Sequence, residues 1–275
     1  MMNGIIDCDS FQQKMQLVDN KYYKRTWIGD MSWWTFENTN IMDRELEMYR
    51  ICTKNNIYVP KIYNINKTHK SVNIKKINGK NLIDHFEENI DSIHILSDIV
   101  IQVANIIYKL HSIKIDHNIK LNFMTFSNYY DLICNKINKF DKDNTYTNEL
   151  LKYKNLIVDN DFVISHGDFH AGNLIIDKTN NLYLIDFEES CIASRYTDIV
   201  SFIRCLKCIV PKRQFNILKN TFINTYESIS KINLDTKQMK IWNDFLTFRS
   251  QFISFWIKNQ TLTNKLNTSV DKWLC

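Results

Sequence analysis

His166-Gly167-Asp168-Phe169-His170-Ala171-Gly172-Asn173, followed by Leu184-Ile185-Asp186-Phe187-Glu188, is the stretch on which the reading of this chain turns. Short apolar runs over Phe162–Ser165, Asn173–Asp177 and Leu182–Phe187 predict strands, the last two joined through Lys178-Thr179-Asn180-Asn181 as a hairpin. Asp168 then lies on a loop just past a strand, and Asn173 opens a hairpin whose far strand ends in Asp186. Folding the hairpin back brings Asp168, Asn173 and Asp186 together. Oxygen-bearing side chains of this kind suit a hard cation that keeps several waters, a description of Mg²⁺ rather than Zn²⁺. Phosphoryl transfer uses such a site, because the protein mainly positions the transferred group, neutralises its charge and orients the attacking hydroxyl. Asp168 suits the carboxylate that accepts the hydroxyl proton, and Asn173 and Asp186 suit the metal.

Outward from this stretch, the chain changes character at Asn78-Gly79. Before it come strand-like runs around an Asp19-Asn20 turn, a helical segment over about 43–52, and extended runs over 61–65 and 71–77 on either side of a turn. After it the pattern is helical. Leu96, Ile99, Val100, Val103, Ile107 and Leu110 form one amphipathic stripe; Tyr130, Ile133, Ile137 and Phe140 form another. Phe215, Leu218, Phe222 and Tyr226 make a third, and Trp242, Phe245, Phe252 and Trp256 a fourth. These stripes read as core.

Composition excludes several classes. The 275 residues include only five Gly and two Pro, and neither G-x-G-x-x-G nor G-x-x-x-x-G-K-[ST] occurs, which removes the dinucleotide fingerprint and the Walker loop. A net charge of +5 is mild and scattered, so no nucleic-acid partner is expected. The segment around 93–110 is interrupted by His94, Ser97, Asp98, Gln102, Asn105 and Lys109, which reads as too polar to span a bilayer, and no membrane partner is expected. An odd set of seven cysteines without a signal-like start predicts free thiols and a cytoplasmic protein. Cys205-Leu-Lys-Cys208 reads as two small residues on a helix rather than a metal site.

The loop motifs resemble the H-G-D-x-x-x-x-N and I-D-[FW]-E signatures of the aminoglycoside phosphotransferase and choline kinase family. Leu110-His111-Ser112, Arg44-Glu45 with Val59-Pro60-Lys61, and Arg195-Tyr196-Thr197-Asp198 are similar to further segments of that family, over about residues 20–205. The resemblance implies an α+β, two-lobed protein-kinase-like fold, with a small β-rich first lobe over 1–79 and a larger, mainly helical second lobe over 80–275. It implies an ATP-dependent enzyme, with ATP or another nucleoside triphosphate and Mg²⁺ as cofactors. The acceptor would be a small-molecule hydroxyl of the aminoglycoside, choline, amino-alcohol or sugar kind.

Carried over residue by residue, Asp168 is the catalytic base, and Asn173 and Asp186 are the magnesium ligands. Glu45 pairs with a strand lysine that grips the nucleotide phosphates; Lys24 is the choice, with Lys21 behind it. Ile77 to Gly79 form the hinge against which adenine docks, and Asp198 braces the catalytic loop from inside. One departure stands out: Cys8 to Gln13, where the nucleotide-covering loop belongs, contains no glycine and offers only Ser10. Acceptor recognition could use acids (Asp141, Asp143, Glu149, Glu188, Glu189) for a polycation, or a cage including Trp242 or Trp256 for a quaternary ammonium. Two alternatives accompany this reading. A metal-dependent hydrolase could use His166, Asp168 and His170, and the reduced first lobe could leave a non-catalytic nucleotide-binding module.

Overall fold

The computed structural model describes residues 13–27, 41–137, 145–154, 156–158 and 161–264. Its first sheet contains β1 (Gln13–Val18), β2 (Tyr22–Trp27), β3 (Ile62–Asn66) and β4 (Ser71–Lys75), antiparallel in the order β1-β2-β4-β3. The β1–β2 turn is at Asp19 and Asn20, both with left-handed backbone, as a tight hairpin of right-handed strands requires. Helix α1 (Ile41–Lys54) buries Met48, Ile51 and Cys52 in the core, and Glu45 is buried with them.

Alternation along β2 decides which side chains reach the interior. Arg25 and Trp27 are buried, and Arg25 stands opposite the buried Val72 of β4. Lys24, one residue away, points to the other face and is exposed.

The chain leaves the first sheet at Lys75 and enters a different one at Gly79. There β5 (Gly79–Asn81) pairs with β8 (Leu174–Asp177), which pairs in turn with β9 (Leu182–Leu184). A Cβ on Gly79 would sit 2.2 Å from the Ile176 carbonyl oxygen, so only glycine allows this approach. The β8–β9 turn is closed by Asp177, whose Oδ1 accepts from Thr179 N at 2.8 Å and Asn181 N at 2.9 Å. The last predicted strand is shorter than expected, because after Leu184 the chain turns away through a left-handed Asp186. A third sheet, not anticipated from sequence, joins β6 (Phe123–Met124), β10 (Cys191–Ser194) and β7 (Phe162–Ser165).

The remainder is helical: α2 (Leu82–Glu88), α3 (Ile93–His111), α4 (Phe126–Ile137), α5 (Thr145–Lys154), α6 (Tyr196–Ile209), α7 (Lys212–Ser230) and α8 (Thr236–Asn264). Helix α2 is capped by Asn81, whose side chain accepts from Asp84 N at 2.9 Å. By length and composition α3 is apolar enough to cross a membrane, despite the polar interruptions that argued otherwise. Its apolar stripe (Leu96, Ile99, Val100, Val103, Ile107 and Leu110) is buried, and α3 packs against α7 through Leu218, Phe222 and Tyr226. Trp242, Phe245 and Phe252 of α8 are also buried, with Trp242 edge-on to Phe245 at 5.7 Å. Trp242 is therefore core and cannot line an open ligand cage; the Trp256 side chain lies outside the described residues. Cys205 and Cys208 lie on α6. An antiparallel sheet in the N-terminal part, followed by a mainly helical C-terminal region, is a protein-kinase-like architecture.

Candidate active site

Strand β7 delivers the chain to the catalytic loop, and Asp198 of α6 shapes it. The carboxylate of Asp198 accepts from Ser165 Oγ at 2.9 Å, His166 N at 2.9 Å, Gly167 N at 3.0 Å and His111 Nε2 at 3.1 Å. Burial opposes its charge, yet these donors hold its pKa below the ordinary aspartate value. Asp198 thus braces the loop from inside, as the sequence reading had it. Gly167 turns with φ +83°, and a Cβ there would meet the Glu189 carbonyl oxygen at 2.0 Å. Gly167→Ala is expected to cost about 1–3 kcal/mol or more from backbone strain alone, read as a lower urea midpoint. An unchanged midpoint would contradict this geometry.

The loop presents Asp168 outward, with 53 % of its side chain exposed to the cleft. Asn173 closes the loop by donating Nδ2 to the Asp168 carbonyl at 2.9 Å and to its Oδ2 at 3.4 Å. His170 Nε2 stands 3.3 Å from Asp168 Oδ2, while its Nδ1 accepts from Gly172 N at 3.0 Å and caps the 3-10 turn over Ala171–Asn173. The surrounding protein mass disfavours charge on Asp168. His170, with smaller contributions from Arg249 and His166, overrides it and holds the carboxyl well below the carboxylate range. Asp168 is therefore ionised at neutral pH, a weak base that suits a late proton transfer.

His166 is buried, with both ring nitrogens engaged. Nε2 donates to the Ile185 carbonyl at 2.9 Å, and Nδ1 accepts from Asp168 N at 3.4 Å. No lone pair remains for a cation, so the arrangement does not support the hydrolase alternative built on His166, Asp168 and His170. The ring instead ties the catalytic loop to the hairpin beside Asp186.

Asp186 reaches the same place from the far strand. Leu174 pairs with Leu184, and Ile185 N donates to the Asn173 carbonyl at 3.1 Å, which sets Asp186 beside Asn173. The Asp186 backbone has φ +66°, and its Oδ1 accepts from Arg25 Nη2 at 2.6 Å. The Asn173 side chain thus contacts Asp168, and the backbone bond from Ile185 places Asp186 next along the hairpin. Among the described residues no group of three His, Cys, Asp or Glu forms a closed cation site. Asn173 and Asp186 offer an amide oxygen and a carboxylate, the sparse protein set that suits a magnesium ion completed by phosphates and water.

The strand cation is Arg25, not Lys24. Its guanidinium donates Nη1 to Glu45 Oε1 and reaches Glu188 Oε2 at 3.4 Å in addition to Asp186. Arg25 is 4 % exposed, whereas Lys24 is on the solvent face of β2 and Lys21 is exposed at its start. The Lys24–Glu45 pair expected from sequence is therefore corrected: strand alternation turns Arg25, not Lys24, toward Glu45. A signal for this was present, since Arg25 shares period-two spacing with Tyr23 and Trp27. Burial pushes Glu45 up to about 7 against the pull of Arg25. Burial and the neighbouring Asp186 push Glu188 up to about 9. Glu45, Asp186 and Glu188 thus converge on Arg25, with Arg44 also acting on Glu45 and Glu188.

Ile77 is half-buried between the sheets and Gly79 begins β5, so both lie at the crossing from the first sheet to the second. Glu188 and Glu189 sit close to arginines, the former bound by Arg25 and the latter near Arg44. Glu149 pairs with Lys152 on α5. Asp141, Asp143, Ser10 and the rest of 8–12 lie outside the described residues.

A family model described as the phosphotransferase enzyme family matches residues 40–210, more than half of the chain. The chain belongs to this phosphotransferase family. It is a small-molecule phosphotransferase with a kinase-like fold, and the fold finds close company among solved structures. A gentamicin complex of APH(2")-IIa superposes with a TM-score of 0.67 at 15 % identity, covering 97 % of this chain and 91 % of that one. A GDP and kanamycin complex of APH(2")-IIIa gives 0.66 at 12 % identity, covering 97 % and 95 %. Spectinomycin phosphotransferase APH(9)-Ia, in complex with ADP and spectinomycin, gives 0.62 at 15 % identity, covering 92 % and 80 %. No curated protein sequence matches the chain.

Proposed function

We propose that the enzyme transfers the γ-phosphoryl group of ATP, or of another nucleoside triphosphate, to a hydroxyl of a small molecule of the aminoglycoside, choline, amino-alcohol or sugar kind. The observation that carries this reading is the meeting of Asp168, Asn173 and Asp186 at the foot of a buried Arg25–Glu45 pair. Nucleotides in solved structures of the same fold, GDP in one and ADP in another, support a nucleotide here. Ile77 and Gly79 would border the base, and Arg25, locked by Glu45, would face the phosphates. A magnesium ion held by Asn173 and Asp186 would neutralise phosphate charge and align the transferred group. Asp168 orients the acceptor hydroxyl and takes its proton as the new O–P bond forms. The pairing of Arg25 with both Glu45 and Asp186 links the phosphate-facing strand to the metal ligands, so bound nucleotide would draw both lobes into one geometry. The odd number of cysteines in the sequence supports residence in the cytoplasm.

Ligand-induced stabilisation tests the reading. Millimolar ATP with Mg²⁺ is expected to raise the melting temperature by several degrees, as any ligand that binds only the folded state must. ATP with EDTA is expected to give much less. GTP run in parallel decides the base preference, and a panel of alcohol acceptors then reports transfer. No shift with either nucleotide would overturn the proposal.

A further inference from the structure

Behind the catalytic loop runs a buried line of polar groups that the phosphoryl-transfer reading does not use. Asp161 and Arg195 form a bidentate pair, and Arg195 Nη1 donates to Tyr226 Oη at 2.7 Å. Tyr226 Oη lies 2.9 Å from His111 Nδ1, and His111 Nε2 lies 3.1 Å from Asp198 Oδ2. Asp198 then holds the backbone N–H groups of His166 and Gly167, immediately before Asp168. Tyr226 comes from α7, His111 from the end of α3, and Arg195 and Asp198 from the start of α6. All four side chains are buried.

The chemistry of the groups gives this line a direction. A guanidinium only donates, so Tyr226 Oη must accept from Arg195. The Asp198 carboxylate only accepts, so the neutral His111 ring keeps its proton on Nε2, facing that carboxylate. Nδ1 then carries the lone pair and accepts from Tyr226 Oη, while Arg195 fills an acceptor position of the same hydroxyl and leaves its O–H turned to His111. Burial, the largest influence on this ring, lowers its pKa and keeps it neutral despite Asp198. Were the proton on Nδ1 instead, the Nε2 lone pair would face a carboxylate oxygen, and a donor holding Asp198 would be lost.

We propose that Tyr226 and Arg195 are positioning residues: they hold His111 in the tautomer that donates to Asp198, and through Asp198 they fix the loop that carries Asp168. The proposal rests on Asp168 being the catalytic base. Its structural half can be tested without that assumption, because a tautomer assigned from hydrogen-bond geometry is directly readable by nitrogen NMR.

In the native enzyme, the His111 ring nitrogens are expected to show one neutral form with the proton on Nε2 throughout pH 6–8. Finding the proton on Nδ1 would overturn the proposal with no variant needed. Tyr226→Phe keeps the ring packing but removes the hydroxyl. It is expected to move the His111 Nδ1 resonance further from the protonated position, because the lone pair loses its donor while Asp198 still holds the proton on Nε2. Turnover should fall about tenfold or more with KM for nucleotide and acceptor within about twofold, as misplacement of a catalytic group does. Unchanged turnover, or a loss confined to KM, would overturn the positioning role. Should Tyr226→Phe fold poorly, Arg195→Lys restores a donor to Tyr226 and is expected to keep the native tautomer; Arg195→Gln, whose amide can also accept, is expected to give a mixture. Identical His111 spectra for the native protein and Arg195→Gln would sink the idea. An active Asp168→Asn enzyme with the expected tautomer would instead fault the catalytic assignment while leaving the relay intact.

Discussion

Asp168→Asn is expected to lower turnover by about 10²–10⁴-fold, the range for removing a positioned general base. The exchange preserves shape but leaves no basic oxygen to take the hydroxyl proton. Loop geometry should survive, because the 2.9 Å bond from Asn173 Nδ2 goes to the Asp168 backbone carbonyl, which the substitution leaves in place. The Asp198 contacts to Ser165, His166 and Gly167 do not involve the Asp168 side chain either. Nucleotide-induced stabilisation should therefore stay close to that of the native enzyme. Single-turnover phosphoryl transfer is the measurement, and turnover within about threefold of native would remove Asp168 from the role. Retained nucleotide binding with abolished transfer also separates an enzyme from a binding module, since only the former has a step to lose.

The second large effect is at Arg25. Arg25→Met should destabilise the protein by about 3–5 kcal/mol, because it strands carboxylates whose partner has been removed. Glu45 has no exposed surface, and Asp186 and Glu188 are each more than half buried. Without the guanidinium, Glu45 and Asp186 would lose the cation they share. Nucleotide stabilisation should also fall, since the side chain facing the phosphates is gone. Arg25→Lys keeps the charge but cannot bridge Glu45, Asp186 and Glu188 with one planar fork, so an intermediate loss is expected. Lys24→Ala, on the solvent face of the same strand, should change stability by less than about 0.5 kcal/mol. Urea unfolding with and without nucleotide distinguishes the two positions. A Lys24→Ala loss as large as that of Arg25→Met would contradict the strand register.

The candidate site was legible where its geometry is local. Asp168 and Asn173 lie five residues apart on one loop, and a hairpin of fixed length returns Asp186 to them, so spacing alone brings them together. The stripe on α3 was legible for the same reason: a period of 3.6 residues orders its apolar face before any partner is known. Lys24 and Arg25 were not separable in this way. Both are cations on one strand, and their facing depends on pairing with β4, which lies after a helix and another strand. His166 was ambiguous for a related reason: its ring could face a cation or the Ile185 carbonyl, 19 residues on, and only the folded hairpin supplies the second.

By itself, then, the sequence brought Asp168, Asn173 and Asp186 toward one place through residue types at short, rigid spacings, and the resemblance its motifs carry implied the kinase-like plan. Tertiary structure alone decided which cation locks Glu45, how Trp242 is used, and how Asp161, Arg195, Tyr226 and His111 line up behind Asp198. Each of these depends on side chains brought together from 20 to more than 100 residues apart. A one-residue step along a strand reverses the face a side chain presents, and a buried donor or acceptor takes its meaning from the partner that packing delivers.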